Sequence, residues 1–151
     1  MEKTVDKIDA AIEQLDWAIR LLIDYNAPLP SITLAGAAEE ILGKPLSETA
    51  HEKICDELMR EYGVGKRYLN NEYLNMVRNW LKHWDMGKES EAININLSSH
   101  AIQMIARALA NLVSLQSRLS VQGQRFVDWV AYDSLSGTYN CLNNNSNGVD
   151  S

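Results

Sequence analysis

Cysteine, proline and phenylalanine are scarce in this chain, with two, three and one among 151 residues. Cys55 in a helical pattern and Cys141 in a polar stretch do not make a disulfide framework, and two isolated thiols suit a reducing compartment. No apolar run reaches the length of about 18 residues that a membrane-spanning helix needs. The opening Met1-Glu2-Lys3-Thr4-Val5-Asp6 lacks the apolar core of a signal peptide, so a cytoplasmic protein is expected. There is no Gly-rich phosphate loop, no CxxC pair, no internal repeat and no alternating strand pattern. A net charge of −6 excludes the broad basic field of proteins that coat nucleic acid.

What is present is helical periodicity. The composition, 46% apolar and 23% charged, fits one globular domain large enough to bury a core. Ile8, Ile12, Leu15, Ile19 and Leu22 recur at three- and four-residue steps on a first helix, which Pro28 and Pro30 end. A second helix is expected over about Ser31 to Leu42, rich in small residues (Ala35, Gly36, Ala37, Ala38) that let another backbone approach. Gly43 stands where a left-handed cap is wanted. Thr49 and Glu52 have capping-box spacing before a third helix carrying Ile54, Leu58 and Met59, which Gly63 ends.

A fourth helix is expected over about Tyr68 to Trp84, with Leu69, Tyr73, Met76, Val77, Trp80 and Trp84 inward, followed by Gly87 and a loop from Lys88 to Leu97. Ser98 or Ser99 is the predicted cap of a fifth helix through Ile102, Ile105, Leu109, Leu112, Val113 and Leu119. A short last helix is expected around Arg125 to Tyr132. The predicted fold is an all-α antiparallel bundle of about five helices plus this short one, over residues 1–133. Residues 134–151, with their Asn/Ser/Gly composition, read as a flexible tail.

One segment carries chemistry. Arg78-Asn79-Trp80-Leu81-Lys82-His83 puts a permanent cation, an amide and an imidazole together. Arginine grips phosphate with a planar fork, and histidine moves protons near neutral pH, so the set can cleave a phosphodiester without a metal. On a continuous helix Asn79 and His83 stack on one face, with Arg78 about 100° round from Asn79 and able to reach across. Trp80 and Trp84 flank the group.

This segment resembles the signature of the HEPN superfamily, in which arginine and histidine stand four to six residues apart and a polar residue, often asparagine, follows the arginine. Leu34 to Gly43 and Met104 to Ala108 further resemble uncharacterised bacterial HEPN-like proteins. The resemblance spans about Val5 to Tyr132. It implies a metal-independent endoribonuclease, often a toxin or anti-phage defence factor, whose site is built from both motifs of a homodimer. It assigns His83 as acid or base on the ribose 2′-hydroxyl and leaving group, Arg78 to the phosphorane charge, and Asn79 to phosphate orientation. It implies no cofactor, and an antitoxin or nucleotidyltransferase as a possible partner. Non-catalytic HEPN-like modules that bind a protein or nucleotide are the second expectation.

Other constellations read more plainly. Lys82, with Arg107 and Asn111 four apart on the fifth helix, can supplement a substrate groove, while an ion pair of Arg107 with Glu39 or Glu40 is the simpler use. Glu48 and His51 have the spacing of carboxylate-bridged metal sites, but no second such pair exists, and His51 in a first helical turn reads as solvated. His100 lacks a nucleophile partner with an orienting acid. Trp17, Trp80, Trp84 and Trp129 read as core and interface anchors.

Overall fold

Asp6 starts the first helix, its carboxylate accepting from the Ile8 backbone N–H at 2.8 Å. The computed structural model describes residues 2–83 and 94–144, without the side chains of 71, 72 and 135–144. Among the described residues the fold is all helical. Helix α1 (Lys7–Ile23) buries Ala11, Leu15, Ala18, Ile19 and Leu22, the stripe its periodicity predicts. Helix α2 (Pro28–Gly43) begins at Pro28 rather than Ser31, because proline in a first turn forfeits no hydrogen bond. Its small residues Ala35, Gly36 and Ala38 are buried, and it packs most extensively on α6 (Leu97–Gln116) and α1.

Gly43 is not a left-handed cap. It remains in the helix, and the next residue, Lys44, is right-handed. A Cβ on Gly43 would stand 3.0 Å from Thr49 Cγ2 and 3.2 Å from Asn111 Nδ2, so its smallness serves close approach. Helix α3 (Ala50–Tyr62) has the full Thr49–Glu52 capping box and ends at Gly63 with φ +66°. Its buried Cys55, with Ile54, Leu58 and Met59, forms a satellite cluster with Leu69 and Leu74.

The expected long fourth helix is broken. A single turn, α4 (Lys66–Tyr68), runs into a π-helical segment, Leu69–Leu74, whose Asn75 N–H reaches back to the Asn70 carbonyl at 3.1 Å. Helix α5 (Met76–Lys82) then starts afresh. Val77 is buried as expected, but Tyr73 and Trp80 are exposed, because the π turn shifts the phase of the buried face. Trp84, Gly87 and most of the Lys88–Leu97 connection lie outside the described residues.

Helix α6 (Leu97–Gln116) is capped by Asn96, accepting from Ser99 N–H at 3.0 Å, rather than by Ser98 or Ser99. It buries Met104, Ile105, Ala108, Leu109 and Leu112 against α1 and α2, whereas Val113 is exposed. Helix α7 (Val121–Asn144) is longer than the expected Arg125–Tyr132 segment and seals one side of the core with Phe126. Fully burying a leucine or isoleucine contributes about 1.5–3 kcal/mol, so the α1–α2–α6 layer is the main source of stability. Trp129 packs partly against this core, while Trp17 is exposed, with Arg20 5.2 Å over its ring.

Candidate functional site

Glu39 is the hub on which α2, α5 and α6 converge. Buried beside the core, its Oε1 accepts from Arg107 Nε at 3.2 Å and from Arg107 Nη2 at 3.0 Å. Arg107 also donates from Nη1 to the Leu74 carbonyl at 3.3 Å and from Nη2 to Asn75 Oδ1 at 2.9 Å. The ion pair predicted for Arg107 is thus with Glu39. Asn111 is equally occupied: its Oδ1 accepts from Ala50 N–H at 2.9 Å and its Nδ2 donates to the Glu39 carbonyl at 3.2 Å. Arg107 and Asn111 therefore hold the helices in register, with every assigned hydrogen bond internal.

Arg78 reaches the same hub from α5. Its Nη1 lies 3.6 Å from Glu39 Oε2 and its Nη2 donates to Glu40 Oε2 at 2.6 Å. The Arg78 side chain is 12% exposed, Glu39 8% and Glu40 53%, so the pair to Glu39 faces the interior and the pair to Glu40 faces solvent. The Nε of Arg78 is buried without a hydrogen-bond partner. It lies over Gly36, where a Cβ would stand only 2.8 Å from it. Lys82, one turn on, directs its ammonium toward the same Glu40 Oε2 at 3.9 Å.

His83 is not on the helix. It caps α5 with an extended backbone (φ −122°, ψ 126°) and is exposed, its N–H donating to the Asn79 carbonyl at 3.1 Å. The expected stacking of Asn79 and His83 on one helical face therefore does not occur, because α5 ends at Lys82. Asn79 is half-buried, and Trp80 is too exposed to screen Arg78 from water.

A second polar cluster lies where sequence reasoning expected none. His51 is half-buried rather than solvated, with Nε2 2.6 Å from Asn70 Oδ1. Asn70 Oδ1 also accepts from Asn75 Nδ2 at 2.8 Å, so it is an acceptor and His51 Nε2 carries the proton. His51 Nδ1 then holds a lone pair, buried and without a partner. Burial, followed by the Arg107 charge, pushes the His51 pKa down and keeps the ring neutral at pH 7. Cys55 Sγ lies 3.5 Å from His51 Nε2, but the thiol is fully buried and burial pushes its pKa up, so it is no nucleophile.

Two cavities meet at Glu40. One, of about 340 Å³, is polar and includes Glu39, His51, Asn70, Asn75, Arg78 and Arg107 in its lining. The other, of about 450 Å³, has a floor of Ile8, Ala37, Ile41 and Pro45 and a rim of Lys7, Lys44 and Lys82. Glu40 and Lys44 line both. Among the described residues no three His, Cys, Asp or Glu side chains come close enough to hold a metal ion. No helix among them is long and apolar enough to cross a membrane.

Arg78 and Lys82 are thus brought together on one carboxylate, His83 stands at the adjoining helix end, and Arg107 and Asn111 lie deeper. Glu40 was expected only as an alternative partner of Arg107, and Lys7 and Lys44 were not singled out in the sequence, because one-dimensional spacing does not show that three chain segments share a cleft. Asn70 and Asn75 left a fainter signal as polar residues interrupting the apolar pattern ahead of Arg78. No protein-family model, curated protein or solved structure matches the chain.

Proposed function

We propose that this chain is a HEPN-like domain that cleaves RNA by 2′-hydroxyl transesterification without a metal, acting as a homodimer. The observation that carries the reading is that Arg78 and Lys82 converge on one oxygen of the half-exposed Glu40 side chain, with the exposed His83 next in the chain after Lys82. A phosphodiester that displaces Glu40 meets a forked guanidinium and an ammonium, the groups that neutralise a developing phosphorane. His83 supplies proton transfer to the 2′-hydroxyl and leaving oxygens. A second protomer completes the site, and the exposed indole of Trp80, 47% accessible on α5, suits an interface. Within such a family the biological setting is a toxin or defence factor, held by an antitoxin or nucleotidyltransferase.

The second reading is a non-catalytic HEPN-like module that binds a protein or nucleotide. What favours it is the deep use of Arg78 as a strut between α5 and α2, paired to two glutamates. The deciding experiment incubates purified protein with total RNA in chelator. The nuclease reading expects fragments with cyclic phosphate ends, lost in His83→Ala with the fold intact and lost in Arg78→Lys, which lacks the fork. Intact RNA, with harmless expression in a bacterial host, transfers the proposal to the binding module.

A further inference from the structure

We infer that the cleft between α3, the π turn and α6 binds a small monocarboxylic acid with an apolar body, of the class of a medium-chain fatty acid. Such a site is independent of RNA cleavage. The cleft has a volume of about 470 Å³, and small-molecule sites occupy about 300–1,000 Å³. Ile54 and Leu58 of α3 and Leu74 of the π turn line it, and the small Ala106 and Ala110 on the exposed face of α6 leave room beside them. It therefore opens where the satellite cluster stands apart from the main core. A π turn is a frequent feature of functional sites, and this one brings both Tyr73 and Leu74 to the cleft.

The charges at the cleft select an anion. Among the described residues the charged side chains lining it are Lys53 and Arg107, both cations, on a chain of net charge −6. Both cavities beside Glu40, by contrast, carry that carboxylate. Arg107 is neutralised by Glu39 at 3.0 Å. Lys53 is held more loosely: its side chain is 58% exposed, and its pair to the exposed Glu48 spans 4.0 Å. An exposed pair of that length is weak, so a ligand carboxylate at the mouth can take the ammonium from Glu48. Tyr73 and Gln103, exposed on the lining, add a hydroxyl and an amide as donors for a carboxylate oxygen. An amine on the same apolar body would meet Lys53 as a like charge.

Octanoate, octan-1-ol and octylamine, titrated into the full chain with its Ile and Leu methyls followed by NMR, test the assignment. Octanoate is expected to shift the methyls of Ile54, Leu58 and Leu74 saturably. It should bind about threefold tighter than octanol, with octylamine weakest. In Lys53→Gln the preference for octanoate should vanish while octanol affinity holds. Ala106→Phe fills the cleft from an exposed position and is expected to weaken octanoate by about tenfold. Circular dichroism melts check that both variants fold. Absence of saturable shifts overturns the proposal, as do shifts centred on Ile8 and Ile41 in the cavity beside Glu40. So does octanol binding as tightly as octanoate, an octanoate preference that survives Lys53→Gln, or full affinity in a folded Ala106→Phe. No RNA is present, so the outcome is separate from whether RNA is cleaved.

Discussion

Arg78 crosses α2 at Gly36, its Nε 2.8 Å from the point where a Cβ on that glycine would stand. The glycine therefore sets the depth at which the guanidinium reaches Glu39 and Glu40. Gly36→Ala must push the Arg78 side chain outward or separate α5 from α2. Overpacking of this kind costs about 1–3 kcal/mol, more than alanine's better helix propensity returns. A lower urea midpoint is expected, and an unchanged midpoint would show that Arg78 yields freely.

The Arg107–Glu39 pair is the more demanding contact. Arg107→Met leaves the buried Glu39 carboxylate with only the more distant Arg78 guanidinium, and breaking a buried pair this way costs about 3–5 kcal/mol. Adding Glu39→Gln should recover part of that loss, because the uncompensated charge is gone. Denaturant melts of both variants measure the two steps. Equal stability of the single and double variants would mean the lost packing, not the charge, dominates.

Capping of α3 offers a smaller effect. Thr49→Ala removes the hydroxyl that accepts from the Glu52 N–H at 3.2 Å, and losing an N-cap costs about 1 kcal/mol. The methyl of Thr49 also packs near Gly43, so Thr49→Ser separates hydroxyl from methyl. Serine should retain most of the stability if the cap is what counts.

Acidity should act through His51 and His100 before it reaches the carboxylates. Burial lowers both pKa values below the ordinary 6.5, so the unfolded chain takes up protons that the folded chain refuses. Their contribution is full above pH 6.5 and is lost as pH falls from there through the folded pKa values. Asp24 and Glu52, also lowered, add a separate loss below about the ordinary carboxylate range. Melting temperature followed from pH 7.5 to 5 should fall, and His51→Gln should flatten the slope. A flat profile in the unaltered protein would contradict the burial of these imidazoles.

The amphipathic helices were readable because their periodicity is local. The stripe of α1, the capping box of Thr49 and Glu52 and the small-residue face of α2 follow from residues within a few turns of one another. The Arg107–Glu39 pair was foreseeable from a charge on an otherwise apolar face. The broken region from Lys66 to Lys82 was not, since its apolar residues fit an unbroken helix tolerably well and nothing local announces a π turn. That one misjudged phase explains the expectations that failed for Tyr73 and Trp80, whereas the Asn79–His83 face is lost because α5 ends at Lys82. The burial of His51 depends on Asn70 arriving from that same segment.

The π turn at Leu69–Leu74 also determines which letter of the motif does which work. Such a turn accommodates one residue more than an α-turn, and one residue is about 100° of rotation on the helix that follows. Deleting a single residue there would wind α5 back by that angle. Asn79 would then occupy the berth facing Glu39, and Arg78 would be driven into the apolar slot that Val77 fills. The chemistry of the segment is thus written as much in the length of the preceding chain as in the identity of its side chains.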